Sequence, residues 1–247
     1  MTPVAQRARR TEPTRLSHVL VGTSGFSYPA WRGTFYPEDL SSKKMLGYYA
    51  EQFDTVEINY SFYRKPTTKI LEGWAAQVPE RFRFALKAWQ RITHQKRLRE
   101  SSELVEGFVD AARTLGARLA PVLYQLPPNL KADLPLLRNF LQQLPRDLRA
   151  AFEFRHASWF ADETYAALRD AGAALCIAES EELATPAVRT ADFGYLRLRR
   201  QDYDSAALLK WAEFVKTYTG EVFVYFKHED SAAGTEYARR FASLAKS

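Results

Sequence analysis

The chain has one cysteine, Cys176, in 247 residues, which excludes an internal disulfide and leaves too few thiolates for an iron–sulfur cluster or a zinc ribbon. A reducing, cytoplasmic setting is therefore expected. Long apolar runs are also missing: segments 19–21 and 222–226 are far shorter than the roughly 20 residues of a spanning helix, so no membrane association is expected. Histidine is scarce. None of His18, His94, His156 and His228 sits in an HxH or HExxH spacing, and their neighbours are cationic, so no metal is expected. The glycine-rich dinucleotide turn is absent, because the first strand candidate continues into Gly22-Thr23-Ser24-Gly25-Phe26. A GxSxG nucleophile elbow is absent as well, and no cofactor is expected.

What the chain does have is ordinary for a folded soluble domain: 46% hydrophobic and 26% charged residues, over a length that suits one complete barrel. The formal net charge is +6, and Arg7, Arg9, Arg10 and Arg15 fall within residues 1–17, which read as a mobile basic arm. A domain over 18–247 follows. Overall basicity is thus weak support for a nucleic-acid partner.

Apolar runs at 18–23, 55–59, 82–88, 120–126, 150–155, 174–179, 194–199 and 221–228 have the length of buried strands. Between them, helical periodicity marks 43–53, 67–77, 102–115, 134–144, 162–171, 206–218 and 235–245. Gly116, Gly172 and Gly220 follow three of these where a left-handed C-terminal residue is favoured. The sixth crossover, around Pro186, shows little helical period. Strict alternation predicts an α/β fold, a single (β/α)8 barrel of the TIM type with an irregular sixth crossover.

Period two sorts the charges on these strands. Val56 and Ile58 face helices, which turns Glu57 and Asn59 inward; Phe152 and Phe154 do the same for Glu153 and Arg155, and Leu196 and Leu198 for Tyr195, Arg197 and Arg199. Lys87, Gln125 and Lys227 close three further strands. Polar ends then converge on the C-terminal face, where barrels of this type build their chemistry. Two glutamates against Lys87, Arg155, Arg197, Arg199 and Lys227 leave a basic surplus that an anion would satisfy, with Arg197 and Arg199 forking onto it. A structural ion-pair network filling the barrel top is the competing expectation. Aromatic residues after the strands, among them Trp31, Tyr63 and Trp159, would wall the same mouth or cap the core.

The residues beyond the strands resemble the YecE-like family, domain of unknown function 72 (DUF72). The matching motifs are Gly22-Thr23-Ser24-Gly25-Phe26 with Tyr28, Trp31, Gly33 and Phe35-Tyr36-Pro37; Thr55-Val56-Glu57-Ile58-Asn59 leading to Phe62-Tyr63-Arg64 and Pro66; Thr93-His94; Gln125-Leu126-Pro127-Pro128; and Glu153-Phe154-Arg155-His156 with Ser158-Trp159. The resemblance implies a TIM-type barrel and brings no established reaction. Many relatives have a His-Gly pair at Arg199-Arg200 and an Asn pair at Lys227-His228, so this mouth is more basic than theirs.

The leading expectation is a cofactor-free enzyme acting on an anionic substrate, a phosphorylated sugar or nucleotide-like molecule. Glu57, Glu153 and Lys87 would be catalytic, with acid/base chemistry at the carboxylates. Asn59, Tyr63, Arg64, Gln125, Arg155, His156, Trp159, Arg197, Arg199, Lys227 and Trp31 would bind substrate. Two alternatives stand: a nucleic-acid-binding or processing barrel resembling endonuclease IV in shape, with a basic track through Arg64, Arg91, Lys96, Arg97 and Arg99, and a non-catalytic ligand-binding protein.

Overall fold

Each short apolar run becomes a strand: β1 Val19–Thr23, β2 Thr55–Ile58, β3 Arg83–Lys87, β4 Leu119–Gln125, β5 Ala150–Glu153, β6 Ala174–Glu179, β7 Gly194–Leu198 and β8 Val222–Phe226. The computed structural model describes residues 19–180 and 183–246; the basic arm expected over 1–17 and the first residue of the 18–23 run lie outside them. All strand pairs are parallel, in the order β1-β8-β7-β6-β5-β4-β3-β2. The barrel closes at β1 and β2 through a single bridge between Ser24 and Glu57, where the Gly25 amide donates to the Glu57 carbonyl at 2.8 Å.

That seam is mended by one side chain. The Tyr49 hydroxyl accepts from the Thr23 amide at 2.8 Å and donates to the Thr55 carbonyl at 3.1 Å, so it supplies the bonds that a regular ladder would. The backbones approach so closely here that a Cβ on residue 22 would stand 2.0 Å from the Thr55 oxygen. Only glycine fits.

Helices cover the outside: α1 Met45–Gln52, α2 Tyr60–Tyr63, α3 Thr68–Ala75, α4 Ser102–Ala112, α5 Leu134–Gln143, α6 Asp162–Asp170, α7 Ser205–Val215 and α8 Ala233–Lys246. Three start on N-caps legible in the sequence, since Thr67, Asp133 and Asp204 each accept a backbone N–H from the first turn. Gly116 and Gly172 take left-handed φ values of 54° and 63° as expected. Gly220 does not. Its glycine is required by contact, because a Cβ there would meet the Asp192 carbonyl oxygen at 2.5 Å.

No helix forms between Leu183 and Phe193, in agreement with the irregular sixth crossover. The segment is tied down by Thr190, whose hydroxyl accepts from Leu175 N and donates to Ala173 O, both at 2.7 Å. The four-residue helix α2, too short to leave a period, was not expected.

The core has two layers. A large outer one packs helices on the barrel, and a smaller inner one includes Leu20, Ala85, Leu123, Ala151, Cys176, Phe193, Tyr195, Phe223 and Tyr225. Cys176 is sealed inside the barrel as a packing residue, with its thiol pKa raised by burial. Above this apolar plug stands the charged layer.

Candidate active site at the strand ends

Period two places Ser24, Glu57, Lys87, Gln125, Glu153 and Arg197 at the C-terminal ends of their strands, and all six are buried. Arg197 lies between the two carboxylates. Its Nη2 and Nε donate to Glu57 Oε1 at 2.8 and 3.1 Å, and its Nη1 donates to Glu153 Oε2 at 2.5 Å. Glu57 also accepts from Ser24 Oγ at 2.5 Å and from the Tyr195 hydroxyl at 2.7 Å. Glu153 accepts from Gln125 Nε2 at 2.9 Å and has Arg199 Nη2 at 3.4 Å.

Burial by itself would raise both glutamate pKa values. The Arg197 charge and the converging donors outweigh it, leaving Glu57 lowered and Glu153 down at about 2. Each carboxylate is thus an ionised, fully coordinated anion and a weak base. Arg197 was expected to fork onto an external anion; its fork instead faces inward and joins β2 to β5, because two buried carboxylates claim it first.

Lys87 has a different environment. It is 9% exposed and forms no ion pair among the described residues, although Glu57 and Glu153 stand on neighbouring inward positions. Both have turned to Arg197. The ammonium lies 4.0 Å from the centroid of the Phe62 ring, which α2 carries in over the end of β3. Ser61 pins this junction by donating to the Lys87 carbonyl at 2.7 Å. Desolvation, reinforced by the Arg197 charge and opposed by the two glutamates, lowers the amine from 10.5 to about 7.

His94 also packs against Phe62, edge-to-face at 4.9 Å. It is carried by a π-helical turn, Arg91–Gln95, followed by left-handed φ values at Arg97, Leu98 and Glu100. Such strained backbone clusters at functional sites. Desolvation, with Lys87 and Arg155 adding to it, depresses the imidazole to about 4. His94 is therefore neutral near pH 7.

A second niche opens where β5, β6 and β7 end. Its volume is about 60 Å³, and Arg155, Arg199, Ser180, Thr185 and Pro128 line it. Arg199 Nε and Thr185 Oγ1 are buried there without hydrogen-bond partners among the described residues. Arg155 is half-buried beside them, with no ion pair among the described residues.

The remaining expected site residues are dispersed. Trp31 and Trp159 are 1% and 0% exposed: Trp31 packs on Phe35 and Tyr36, while Trp159 stacks on Phe154 and donates to the Leu130 carbonyl at 2.8 Å. Both are core residues, and neither presents a face to a ligand. Tyr63 is 70% exposed and Arg64 is exposed beside it at the rim. Asn59 donates to Ser24 Oγ at 3.0 Å, His156 caps the turn at Ala157–Trp159, and Lys227 pairs with Glu229 at 3.4 Å. The basic track is largely occupied as well: Arg97 bonds Asn129, Lys96 pairs with Glu100 and Arg99 with Asp133, while Arg91 lies over Trp89.

Four participants escaped the sequence reading. Ser24 was legible, since extending the β1 period from Leu20 through Gly22 turns it inward. Tyr195 was read as inward but not as a ligand of Glu57. Phe62 belongs to the Phe62-Tyr63-Arg64 motif, but its place beside Lys87 depends on α2, and Thr185 gave no signal because its place depends on the irregular crossover. Among the described residues there is no group of three or more His, Cys, Asp or Glu gathered as metal ligands, and no helix long and apolar enough to cross a membrane.

A family model described as "Protein of unknown function DUF72" matches residues 20–247. UPF0759 protein YecE of Escherichia coli strain K12 is 31% identical over 144 residues, covering 58% of this chain and 50% of that protein. UPF0759 protein YunF of Bacillus subtilis strain 168 is 33% identical over 141 residues, covering 53% and 50%. The matched stretch spans about half the length of these curated relatives. A crystal structure of a DUF72 family protein from Thermotoga maritima MSB8 superposes with a TM-score of 0.82 at 26% identity, covering 93% of this chain and 100% of that one. One from Enterococcus faecalis V583 gives 0.77 at 18% identity over 93% and 96%, a likeness of fold.

Proposed function

The chain belongs to the DUF72 family, and we propose that it is an enzyme acting on a small anionic molecule held at the strand-end mouth, with Lys87 as its reactive group. The Glu57–Arg197–Glu153 network is the rigid floor of that site and takes no proton itself. One observation carries the reading. Arg199 and Thr185, whose Nε and Oγ1 are buried without hydrogen-bond partners among the described residues, line with Arg155 a niche of about 60 Å³.

Buried donors left unpaired cost about 1–3 kcal/mol each, so they call for an acceptor. The niche has room for a small polar group, and a carboxylate or phosphate group brings the acceptor oxygens that Arg155 and Arg199 can fork onto. A small niche suits a compact ligand better than a polymer backbone.

The test is thermal unfolding in inorganic phosphate and in phosphoglycolate. Stabilisation by about 2.7 kcal/mol is expected at a hundred times the dissociation constant, and it should be lost in Arg199→Gln and Arg155→Met. No stabilisation by either anion, or the same stabilisation in both variants, would overturn the reading. Steeply salt-dependent duplex binding, unaffected by these substitutions, would favour the nucleic-acid alternative instead.

A further inference from the structure

We propose that Lys87 is a covalent amine site: its Nζ forms an imine with the carbonyl carbon of a small 2-oxo acid or phosphorylated aldehyde, whose acidic group rests against Arg155 and Arg199. The inference deepens the reading above and rests on it.

The geometry sets Lys87 apart from the other cations of the mouth. Arg197 is bound on both sides, Arg199 reaches Glu153, and Lys227 reaches Glu229. Only Lys87 brings an amine to the inner layer without an acceptor among the described residues, and only there does an aromatic face, Phe62 at 4.0 Å, stand in place of a carboxylate. An ammonium in that position is poorly solvated, and this desolvation, with the charge of Arg197 beside it, prevails over the help of Glu153 and Glu57 and favours the free amine. A free amine is the nucleophile that carbonyl chemistry requires.

The step balances with no oxidant or reductant. The Nζ lone pair forms a C–N bond while the carbonyl π pair moves to oxygen, and a proton passes from nitrogen to that oxygen to give a carbinolamine. The C–O bond then breaks, the hydroxyl leaves as water with the second proton given up by nitrogen, and the imine remains. His94, neutral and packed on the same Phe62 ring, is placed to carry those protons. Glu153 is within reach of Arg199 at 3.4 Å and within the field of Lys87, so it relates the two ends of the site without joining the reaction.

The experiment incubates the full chain at pH 7 with pyruvate or glycolaldehyde phosphate and sodium cyanoborohydride, which supplies the hydride that fixes an imine as a secondary amine. Peptide mapping by mass spectrometry reads the modified lysine. The expected result is one adduct, on Lys87, at least tenfold above any other lysine, absent in Lys87→Arg and Lys87→Met, and suppressed by excess phosphate. Adducts spread over surface lysines, or none on Lys87, would overturn the proposal. Should phosphate stabilise the fold while no Lys87 adduct forms, the imine fails and the anion site stands. Should Lys87 be modified while phosphate neither competes nor stabilises, the anion site fails and the amine stands. Circular dichroism of both variants guards against loss of fold, and phosphate stabilisation retained in Lys87→Met shows that the niche survived.

Discussion

Arg197 on β7 and Glu57 on β2 are joined by two hydrogen bonds to one carboxylate oxygen, at 2.8 and 3.1 Å, with side-chain exposures of 1% and 0%. In sequence they are 140 residues apart. The link crosses the barrel rather than following its wall, and through Nη1 it continues to Glu153. A cation is thus held against two anions above the apolar plug.

Removing that cation should be costly. Arg197→Met leaves two buried carboxylates without their countercharge, and a loss of about 3–5 kcal/mol is expected in urea unfolding. Adding Glu57→Gln and Glu153→Gln to it should recover most of the loss. A single variant as stable as the wild type would show that the network contributes no stability.

The same network fixes the acid limb of stability. Glu153 titrates near 2 in the fold against an ordinary value of 4.5, and Glu57 is also lowered. Their contribution is fully present above the ordinary value and is lost as pH falls through the folded one. Unfolding midpoints should therefore fall from about pH 4.5 towards 2, and Glu153→Gln should flatten that fall. An equally steep acid limb in Glu153→Gln would place the cause elsewhere.

Lys87 shows the same sign of linkage in a higher pH window, there as a penalty on its charged form. Its folded value of about 7 lies below the ordinary 10.5, so the unfolded chain binds the extra proton between those limits. Wild-type stability should rise with pH across that window. Lys87→Met should be more stable than the wild type below pH 7, by on the order of a few kcal/mol, with the difference shrinking towards pH 10.5. A Lys87→Met variant destabilised at pH 6 would show that the amine is a structural partner.

The β1–β2 seam offers a geometric check. Gly22→Ala drives a Cβ against the Thr55 carbonyl and should destabilise by about 3 kcal/mol. Tyr49→Phe removes the bridging hydroxyl and should cost about 1–3 kcal/mol. Hydrogen exchange should quicken at Thr23 and Gly25 in both. Unchanged protection there would mean that the seam is held by packing alone.

How legible the site was can be traced residue by residue. Glu57, Glu153 and Lys87 announced themselves because each alternates with apolar neighbours that had to face helices. The same rule says which side of the strand a residue takes and nothing of what it meets there. The rule turns both Arg197 and Arg155 to the axis, yet one is spent on Glu57 and Glu153 while the other has no ion pair among the described residues. Trp31 and Trp159 show the complementary error. A loop aromatic can wall a mouth or fill a core, and only the packing of Phe35, Tyr36 and Phe154 around them decided for the core.

The sequence by itself determined the barrel, its register of inward and outward side chains, and the face on which polar groups gather, because strand period, helix period and caps are local and act on every residue alike. Which charges neutralise one another, and which amine and buried donors are left without partners among the described residues, follow from the tertiary structure alone. Those outcomes depend on distances across the barrel, and partners 44 to 140 residues apart leave no mark on the local pattern.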